Sequence, residues 1–471
     1  MNRNPRPAHG ISRAISTARR AAQRVPAYAK HLAAHGKILE EFADREGFER
    51  LPPVTKEDYI KANNPADLLW DGDLSRAGVW SASSGSSGEP TFWPRAQTAR
   101  DDAAQAHDRI FSASFDTRAL STLVIDAFAM GTWIGGTYTY TAVQDLQARG
   151  HLVNIVTPGI DVEAVLQCLE RLGKRFDQVI LAGYPPVIKD VLDATSSDLS
   201  RLGLLLAGEA ISEGLRDYFL NRLDTYERPE RVCLVYGTAD AGLMGHETPE
   251  TIAIRRAARP GTALAEVLFG GGSTAIPTLV EYDPERRYAE VNDEGLLYFT
   301  VDTALPLIRY QLGDRGELYS GEQLAVVLRE GGYADLAAPL HPRGSFLILR
   351  DRTDVAATFY GANIYAEHVK AAMLVPEVMR EVSGRFTVSV EEDAELRPQL
   401  LVVVEAMGTR FASDLGARLA KVCRDALAES NTEYRRLLAE YGTTVEPRVA
   451  VVPRGDQSSG PHIKQKWIEA N

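Results

Sequence analysis

The sequence predicts an α/β protein: a large N-terminal domain of α/β subdomains with a β-rich part, then a small α+β C-terminal domain. Three observations lead to this prediction. The chain has 471 residues, more than one average core accommodates. In its first half, apolar strand-like runs alternate with amphipathic helical patterns. The polar run Arg350–Asp354 later interrupts the apolar pattern, so we expect domains at residues 1–350 and 351–471.

The first half predicts buried strands separated by helices. Apolar residues recur at helical spacing over Val162–Leu172, with Asp161 placed to cap this helix and Gly173 to end it. Strands are predicted at Leu120–Phe128, Gln178–Ala182, Leu204–Ala207 and Val232–Tyr236.

From about Ala275 the pattern changes to paired β segments, at Ile276–Tyr282, Gly295–Val301 and Arg315–Tyr319. A further apolar run, Phe346–Leu349, precedes the polar run. Beyond that run, one long helix is predicted at Asp414–Glu429. Three strands accompany it, at Phe386–Val390, Leu400–Glu405 and Val445–Val452. This combination predicts the compact α+β C-terminal domain.

Composition excludes several classes of protein. A net charge of -12 and a pI near 5.4 argue against binding nucleic acid or an anionic membrane, since both favour a basic face. The scattered cysteines Cys168, Cys233 and Cys423 fit a reducing compartment and argue against a cysteine-rich zinc site. No stretch approaches the roughly 18 apolar residues that span a bilayer, and Arg3–Arg24 lacks the apolar core of a secretory signal. We therefore expect a cytoplasmic protein.

The first of five chemically informative segments is the Ser/Gly-rich run Ser81–Thr91. Glycine permits positive φ angles and close approach, so the N–H groups and hydroxyls of such a loop can surround one anion. The loop is neither a Walker A motif nor a dinucleotide GxGxxG. The alternative is a solvated linker. Against it, the flanking pairs Val79-Trp80 and Phe92-Trp93 are expected to be buried.

The second segment is Leu234–Asp240, a predicted strand that ends in a turn. Ligands of open α/β sheets bind at the carboxyl ends of strands. Tyr236 can stack on a planar base, and Asp240 can hold Mg²⁺ on phosphate oxygens. The alternative is a β-turn with a capping Asp.

The third segment is Pro306–Asp314, where a buried strand runs into Gly313-Asp314. The two oxygens of a fixed carboxylate match the vicinal hydroxyls of ribose. The alternative is an ordinary Gly-Asp hairpin turn.

The last two segments are charged. Leu349–Asp354, followed by Phe359–Tyr365, reads by itself as a solvated linker between domains. The C-terminal run Pro453–Trp467 contains Lys464 and Lys466, and surface charge is the alternative interpretation there.

Taken in order, these segments resemble the adenylate-forming superfamily, most closely its phenylacetate–CoA ligase-like branch. Four segments are similar to the motifs SSGTTGxP, YGxTE, IRYRTGD and GRxDDxxxxxGxNVxP: Ser83–Thr91, Tyr236–Asp240, Ile308–Asp314 and Asp351–Tyr365. Val25–Tyr28 and Leu51–Asp58 resemble the branch motifs VPxY and LPxxTKED. Met130–Gly136 sits where the branch has an aromatic, Gly-rich acyl-site loop, and Gly208-Glu209 where the family packs adenine.

The resemblance implies that ATP activates a carboxylic acid as acyl-AMP with release of pyrophosphate, and that CoA then accepts the acyl group. A small C-terminal domain rotates between these half-reactions. ATP and Mg²⁺ are implied, with CoA as acceptor substrate; the oligomeric state is open, a homodimer included. Rings at Phe128, Trp133 and Tyr184 favour a flat aromatic acid, with core packing as the alternative.

The resemblance also implies roles for individual residues. The ATP-binding set is Ser83, Ser84, Gly85, Ser86, Ser87, Gly88, Thr91, Gly208, Glu209, Tyr236, Gly237, Thr238, Asp314 and Arg352. The other roles are catalytic for Lys464 and Asp240, metal-binding for Asp240, acyl-pocket for Trp133, Gly135 and Tyr184, and hinge for Asp354.

The chain departs from the family pattern at several positions. Glu89 stands where the phosphate loop often has Lys, and Arg95 is a candidate replacement for that cation. Asp240 replaces the usual Glu, and Val355 replaces the second Asp of the hinge pair. None of these changes removes an indispensable charge, so we expect an active enzyme.

Two further predictions concern the catalytic lysine and zinc binding. The C-terminal GKxxR motif is absent, and Lys464 is preferred over Lys466 because a cation follows it two residues later. Many members of the branch have a Cys/His zinc site beside YGxTE, whereas here His246 has no cysteine nearby. We therefore predict no zinc and a structural role for His246.

The acceptor stays open at this stage. Transfer to the phosphopantetheine of a carrier protein, or to an amine, is the alternative to CoA. A nucleotide-binding relative that has lost catalysis is the third hypothesis, suggested by Glu89 and the altered C-terminal motif.

Overall fold

The computed structural model describes residues 9–83, 90–195, 197–259, 261–270, 276–352 and 357–454, and for Glu40, Asp351, Arg352 and Glu367 it describes the backbone alone. The strands are β1 (Val79–Ser83), β2 (Thr91–Arg95), β3 (Thr122–Ala127), β4 (Val153–Val156), β5 (Gln178–Gly183), β6 (Leu202–Ala207), β7 (Val232–Thr238), β8 (Gly242–His246), β9 (Thr278–Glu281), β10 (Arg287–Val291), β11 (Leu296–Val301), β12 (Leu307–Ser320), β13 (Ser345–Arg352), β14 (Ala357–Phe359), β15 (Ala362–Ile364), β16 (Val382–Glu392), β17 (Pro398–Ala406) and β18 (Arg448–Val452). The α-helices are α1 (Ile11–Arg24), α2 (Pro26–Ala34), α3 (Arg45–Glu49), α4 (Gln97–Ser114), α5 (Ile134–Ala148), α6 (Val162–Arg171), α7 (Pro185–Ala194), α8 (Glu213–Arg222), α9 (Pro249–Ala257), α10 (Ala263–Phe269), α11 (Gly321–Glu330), α12 (Ala334–Ala337), α13 (Ala366–Met373), α14 (Leu415–Ser430) and α15 (Thr432–Tyr441).

The chain divides into two compact units. The larger comprises Met1–Ser83, Phe92–Gly183 and Val191–Asp351, and the smaller comprises Ser84–Thr91, Tyr184–Asp190 and Arg352–Asn471. The α/β class with a large sheet and a separate small C-terminal sheet confirms the predicted fold class.

The larger unit is built on an 11-stranded sheet in the order β10-β11-β12-β13-β9-β8-β7-β6-β5-β3-β4. Strands β4, β3, β5, β6 and β7 run parallel. β3 and β5 are buried along their whole length, as expected where helices cover both faces of a parallel sheet. The carboxyl ends of these strands lie at one edge of the sheet, where ligands of such folds bind.

Antiparallel pairs extend this sheet: β7 with β8, β9 with β13, and β10 and β12 on either side of β11. β12 contains two residues with left-handed backbone, Arg309 at φ 48° and Gly313 at φ 87°. Its register against β11 shifts in the same stretch. The alternative of a hairpin turn at Gly313-Asp314 is therefore wrong: bulges bend the strand, which continues to Ser320.

The smaller unit contains the three-stranded sheet β16-β17-β18, antiparallel between the first two strands and parallel between the last two. The long helix predicted at Asp414–Glu429 is confirmed as α14, Leu415–Ser430, and the shorter helices α13 and α15 accompany it. Asn431 separates α14 from α15 and caps the latter, because its side chain accepts hydrogen bonds from the N–H groups of Glu433 and Tyr434.

Most predicted elements of the larger unit are confirmed with shifted ends. β3 begins at Thr122 rather than Leu120, and α6 begins after Asp161, whose carboxylate accepts from the Ala164 N–H at 3.0 Å. The expected burial around the Ser/Gly loop is wrong in part. Trp93 is buried, but Val79 and Phe92 are 55% and 52% exposed.

Across the described ranges, every helix is too short or too polar to cross a lipid bilayer.

Candidate active site

The turn between β7 and β8 contains the second predicted segment. β7 is the last of the parallel strands, so this turn lies at the carboxyl edge of the sheet. The Thr238 side chain accepts a hydrogen bond from the Ala241 N–H at 3.0 Å, which closes the turn around Asp240. Asp240 is half-buried there.

Gly208 and Glu209 follow β6, the parallel neighbour of β7. Gly208 has φ 92°, a left-handed angle that a Cβ disfavours. Because adjacent parallel strands end at the same edge, the predicted adenine residues and the segment Tyr236–Asp240 lie on neighbouring strand ends.

β12 contains the third predicted segment. Its backbone bends at Arg309, and contacts of the Arg309 side chain hold this bend in place. The Arg309 guanidinium Nε lies 3.1 Å from each carboxylate oxygen of Glu290, and Nη1 donates to the Leu51 carbonyl. Tyr310 directly follows Arg309, and Asp314 directly follows Gly313. Both residues are buried.

Two Tyr–Asp contacts join the second and third segments. The Tyr236 hydroxyl donates to Oδ2 of Asp314, and the Tyr310 hydroxyl donates to Oδ2 of Asp240 at 2.6 Å. Each segment thus supplies one phenol and one carboxylate to the other. The structure thereby brings together Tyr236, Asp240 and Asp314, three residues predicted for the site. The role of Tyr310 was not predicted, although it lies within the third segment.

Arg95 fixes the backbone of the same turn. Its guanidinium donates to the carbonyl of Asp240 at 3.2 Å and to that of Ala239. Burial lowers the Arg95 pKa to about 10, so the group is a cation at neutral pH. Arg95 is therefore directed at the Asp240 turn in this structure.

Ser83 is the first described residue of the predicted phosphate loop and the last residue of β1. Its buried hydroxyl oxygen accepts hydrogen bonds from Trp93 Nε1 and from Lys56 Nζ, each at 2.9 Å. Lys56 belongs to the segment Leu51–Asp58 and was not predicted for the site. Thr91, at the other end of the loop, begins β2.

The predicted acyl-pocket residues fall in different units. Trp133 precedes α5 and pairs with Ala82 of β1 as an isolated bridge. Gly135 lies against Phe128, whose ring atoms would be 3.2 Å from an added Cβ. Tyr184 belongs to the smaller unit, where its ring lies against Gly361. Trp133 and Gly135 thus belong to the larger unit and Tyr184 to the smaller one.

Several predicted residues lie outside the described part of the chain. They are Ser84, Gly85, Ser86, Ser87, Gly88, Asp354 and Lys464, together with Glu89, Val355 and Lys466; for Arg352 only the backbone is described.

His246 lines a cavity of about 360 Å³ between α4 and β8, with Met244 and Tyr282. Burial lowers the pKa of His246, and its Nδ1 lies 2.9 Å from the Glu247 carbonyl oxygen. Within the described ranges, no three His, Cys, Asp or Glu side chains converge closely enough to hold a metal ion.

Asp240 fits a cation that is held mainly by phosphates. Tyr310 occupies Oδ2, and Oδ1 makes no hydrogen bond with any described residue. Mg²⁺ in nucleotide sites is commonly bound by one or two carboxylates together with phosphate oxygens and water. A single half-buried carboxylate therefore meets the requirement.

No protein-family profile matches the chain, and no curated protein sequence matches it. Solved structures do. A 2-hydroxyisobutyryl-CoA ligase in complex with 2-HIB-AMP and CoA, in its thioesterification state, matches with TM-score 0.64 and 17% identity over 99% of this chain and 91% of that chain. An open conformation of that ligase with the same ligands gives TM-score 0.55 and 16% identity over 100% and 93% of the two chains. Its postadenylation state with 2-HIB-AMP gives 0.54 and 18% over 99% and 90%.

The chain thus has the fold of an adenylate-forming CoA ligase, as the sequence resemblance implies. Membership of the phenylacetate–CoA ligase-like branch stays a prediction.

Proposed function

We propose that the protein is an adenylate-forming carboxylate–CoA ligase. The observation that carries this proposal is the pair of contacts Tyr236–Asp314 and Tyr310–Asp240, which join two of the family-like segments at the carboxyl edge of the sheet. The fold, shared with a ligase that binds 2-HIB-AMP and CoA, supports it.

ATP binds across the strand ends in this proposal. Asp314 accepts from the ribose hydroxyls, assisted by Arg352, and adenine lies between Tyr236 and Gly208-Glu209. The loop Ser83–Thr91 surrounds the triphosphate. Asp314 already accepts the Tyr236 hydroxyl, so the ribose and the base are positioned by residues that contact each other.

In the first half-reaction, a substrate carboxylate oxygen attacks the α-phosphorus of ATP. The bond from this phosphorus to the bridging oxygen breaks, and pyrophosphate leaves with the electron pair. Two anions must meet while charge builds on the phosphoryl oxygens, so positioned cations and donors supply most of the stabilisation. Mg²⁺, when bound, would neutralise phosphate charge. Asp240 would hold it, and Tyr310 and Arg95 orient that carboxylate and its backbone.

In the second half-reaction, the sulfur of CoA loses its proton to solvent and bonds to the acyl carbon, while the bond from that carbon to the phosphate oxygen breaks and AMP leaves. We assign Lys464 to the carboxylate and bridging phosphate oxygens during adenylation, and Asp354 to the hinge between domains at residues 1–350 and 351–471. Both assignments rest on the sequence resemblance.

We propose an aromatic acid as the substrate. Trp133 and Phe128 lie beside Gly135 in the larger unit, and Trp133 pairs with the strand that leads into the phosphate loop. Flat rings pack well against such side chains.

ATP–pyrophosphate exchange with a panel of aryl, aliphatic and amino acids tests the proposal. We expect exchange with one or more aryl acids, followed by thioester formation when free CoA is added. Acyl-AMP that accumulates in the presence of CoA would instead point to a carrier protein or an amine as acceptor. If ATP binds but no acid of the panel supports exchange, the result favours a nucleotide-binding relative without catalysis.

A further inference from the structure

Glu247, the residue directly after β8, is a buried carboxylate that joins two guanidinium groups. It is 1% exposed, and Arg216 of α8 and Arg255 of α9 are fully buried. Arg216 Nη2 donates to Oε1 of Glu247 at 2.6 Å, and Arg255 Nη1 donates to the same oxygen at 2.7 Å. Burial by itself raises the pKa of Glu247, but the two cations hold it below its usual value. Glu247 is therefore ionised at neutral pH.

The second carboxylate oxygen of Glu247 fixes β7. Oε2 accepts from the Leu234 N–H at 3.0 Å, and the Glu247 N–H donates to the Leu234 carbonyl at 2.8 Å. Leu234 lies two residues before Tyr236, which the proposed function places against adenine. Hydrogen bonds to an ionised group are stronger than neutral ones. The position of β7 just before Tyr236 therefore depends on Glu247.

Arg255 extends from Glu247 to the segment that follows β6. Its Nη2 donates to the Ile211 carbonyl at 2.9 Å, and its Nε donates to the Pro277 carbonyl at 3.1 Å. Ile211 lies two residues after Gly208-Glu209, the other residues that the proposed function places against adenine. Because a guanidinium group is planar and its donors have fixed directions, Arg255 fixes the Ile211 carbonyl relative to Glu247.

Both sides of the proposed adenine site are thus connected to one buried carboxylate. We infer that Arg255, together with Glu247, sets the spacing between Tyr236 and Gly208-Glu209, and that Arg255 is a positioning residue for the base of the nucleotide. This inference rests on the proposed function, because it requires adenine to bind between those residues. Arg255 acts through the backbone at Ile211, so its loss should weaken recognition of the base and leave recognition of the phosphates unchanged.

The first test is calorimetric titration of Arg255→Met and Arg256→Met with adenosine and, separately, with magnesium tripolyphosphate. Arg256 is a matched control, since it is the next residue of α9 and pairs with Asp217 at 2.7 Å. Loss of one charge-assisted hydrogen bond typically costs about 10- to 100-fold in an equilibrium constant. We expect Arg255→Met to lose that much affinity for adenosine and none for tripolyphosphate, with Arg256→Met unchanged for both.

The second test uses Arg255→Lys, which keeps a positive charge beside Glu247 and so decides the question even if Arg255→Met fails to fold. One ammonium nitrogen cannot occupy the separate positions of Nη1, Nη2 and Nε. We expect a melting temperature close to that of the parent chain, about tenfold weaker binding of adenosine, and unchanged binding of tripolyphosphate. Full adenosine affinity in Arg255→Lys would mean that charge alone is required, and would overturn the inference.

The outcomes separate the two proposals. If the unaltered chain binds neither ATP nor adenosine, the proposed function fails and the inference fails with it. If the unaltered chain binds adenosine and both variants of Arg255 bind it equally well, the inference alone is overturned. It is also overturned if these variants lose adenosine and tripolyphosphate to the same extent, because Arg255 would then support the fold as a whole and not the base site.

Discussion

The Tyr310 hydroxyl donates to Asp240 at 2.6 Å while its ring packs edge-on against Trp93, with centroids 6.2 Å apart. Tyr310→Phe keeps this packing and removes the bond that orients the Asp240 carboxylate, which we propose as the Mg²⁺ ligand. A hydrogen bond to a charged group contributes about 1.5–3 kcal/mol, so we expect pyrophosphate exchange to require about tenfold more Mg²⁺. Tyr319→Phe, on the same strand with its hydroxyl 3.1 Å from Glu317, is the control. An unchanged Mg²⁺ requirement in Tyr310→Phe would show that this hydrogen bond does not prepare Asp240 for a metal ion.

Asp126, at the end of β3, gives a pH-dependent prediction. It is fully buried, and its Oδ1 accepts from the Phe128 N–H at 3.2 Å, while no group in the described part of the chain donates to Oδ2. Burial raises the pKa of this carboxyl well above 3.8. The folded protein therefore retains a proton that the unfolded chain loses, so stability falls as pH rises from about 4 toward the folded pKa. Asp126→Asn removes this loss.

We therefore expect Asp126→Asn to match the parent chain near pH 4 and to exceed it in melting temperature by pH 8. The check is thermal unfolding from pH 4 to 8. Asp198→Asn serves as the control, because Asp198 is exposed and hydrogen bonds from Ser200 hold the pKa of its carboxyl low. Parallel curves for Asp126→Asn and the parent would contradict a buried, protonated carboxyl.

At the residue scale, side-chain contacts between residues far apart in sequence could not be predicted. Tyr236, Asp240 and Asp314 were predicted from local motifs. Their contacts were not, because the partners lie 70 and 78 residues apart in sequence. Lys56 was noted in the sequence only as part of the motif Leu51–Asp58. Its contact with Ser83 depends on the pairing of that segment with the sheet.

At the scale of elements, the segment around Val54 supports the bend in β12. The Val54 N–H donates to the Arg309 carbonyl at 3.3 Å, and the Gln311 N–H donates to the Val54 carbonyl at 3.0 Å. Tyr310 lies between Arg309 and Gln311, the two residues that form these hydrogen bonds with Val54. The N-terminal motif thus joins β12 through an isolated parallel bridge between Val54 and Tyr310.

Val54→Pro removes the N–H of this pairing and leaves the Arg309 carbonyl without its donor. Loss of one hydrogen bond typically costs about 0.5–1.5 kcal/mol of stability, and a less fixed Tyr310 should also slow pyrophosphate exchange. Denaturant unfolding and exchange kinetics measure the two effects. Pro53→Ala at the neighbouring, exposed position is the control. Full activity in Val54→Pro would mean that this pairing does not position Tyr310.

Helices and strands could be predicted where one kind of interaction determines the local structure. The parallel strands are continuous apolar runs because both faces are covered, and α6 is marked by its cap Asp161. β12 was divided into two pieces because Gly313 at positive φ reads as a turn, whereas pairing with β11 keeps the chain extended through it. Tertiary pairing overrode the local signal there.

On the scale of the whole molecule, the fold class followed from the order of its elements, and the structural likeness to a CoA ligase agrees with it. The substrate does not follow in the same way. In the proposed function, acyl and acceptor specificity depend on side chains between the motifs. Trp133 and Tyr184, predicted for one pocket, belong to different compact units.

The last prediction concerns which of the two half-reactions depends on Lys464. Lys464, from the C-terminal segment, is assigned to the carboxylate and bridging phosphate oxygens, where charge changes during adenylation. Loss of one such donor typically slows a reaction by about 100- to 1000-fold. Lys464→Ala should therefore slow pyrophosphate exchange to that extent while ATP affinity changes little. Thioester formation from preformed acyl-AMP and CoA should persist, since that step involves no attack on phosphorus. Lys466→Ala is the matched control, and if it alone abolishes exchange, the catalytic assignment belongs to Lys466.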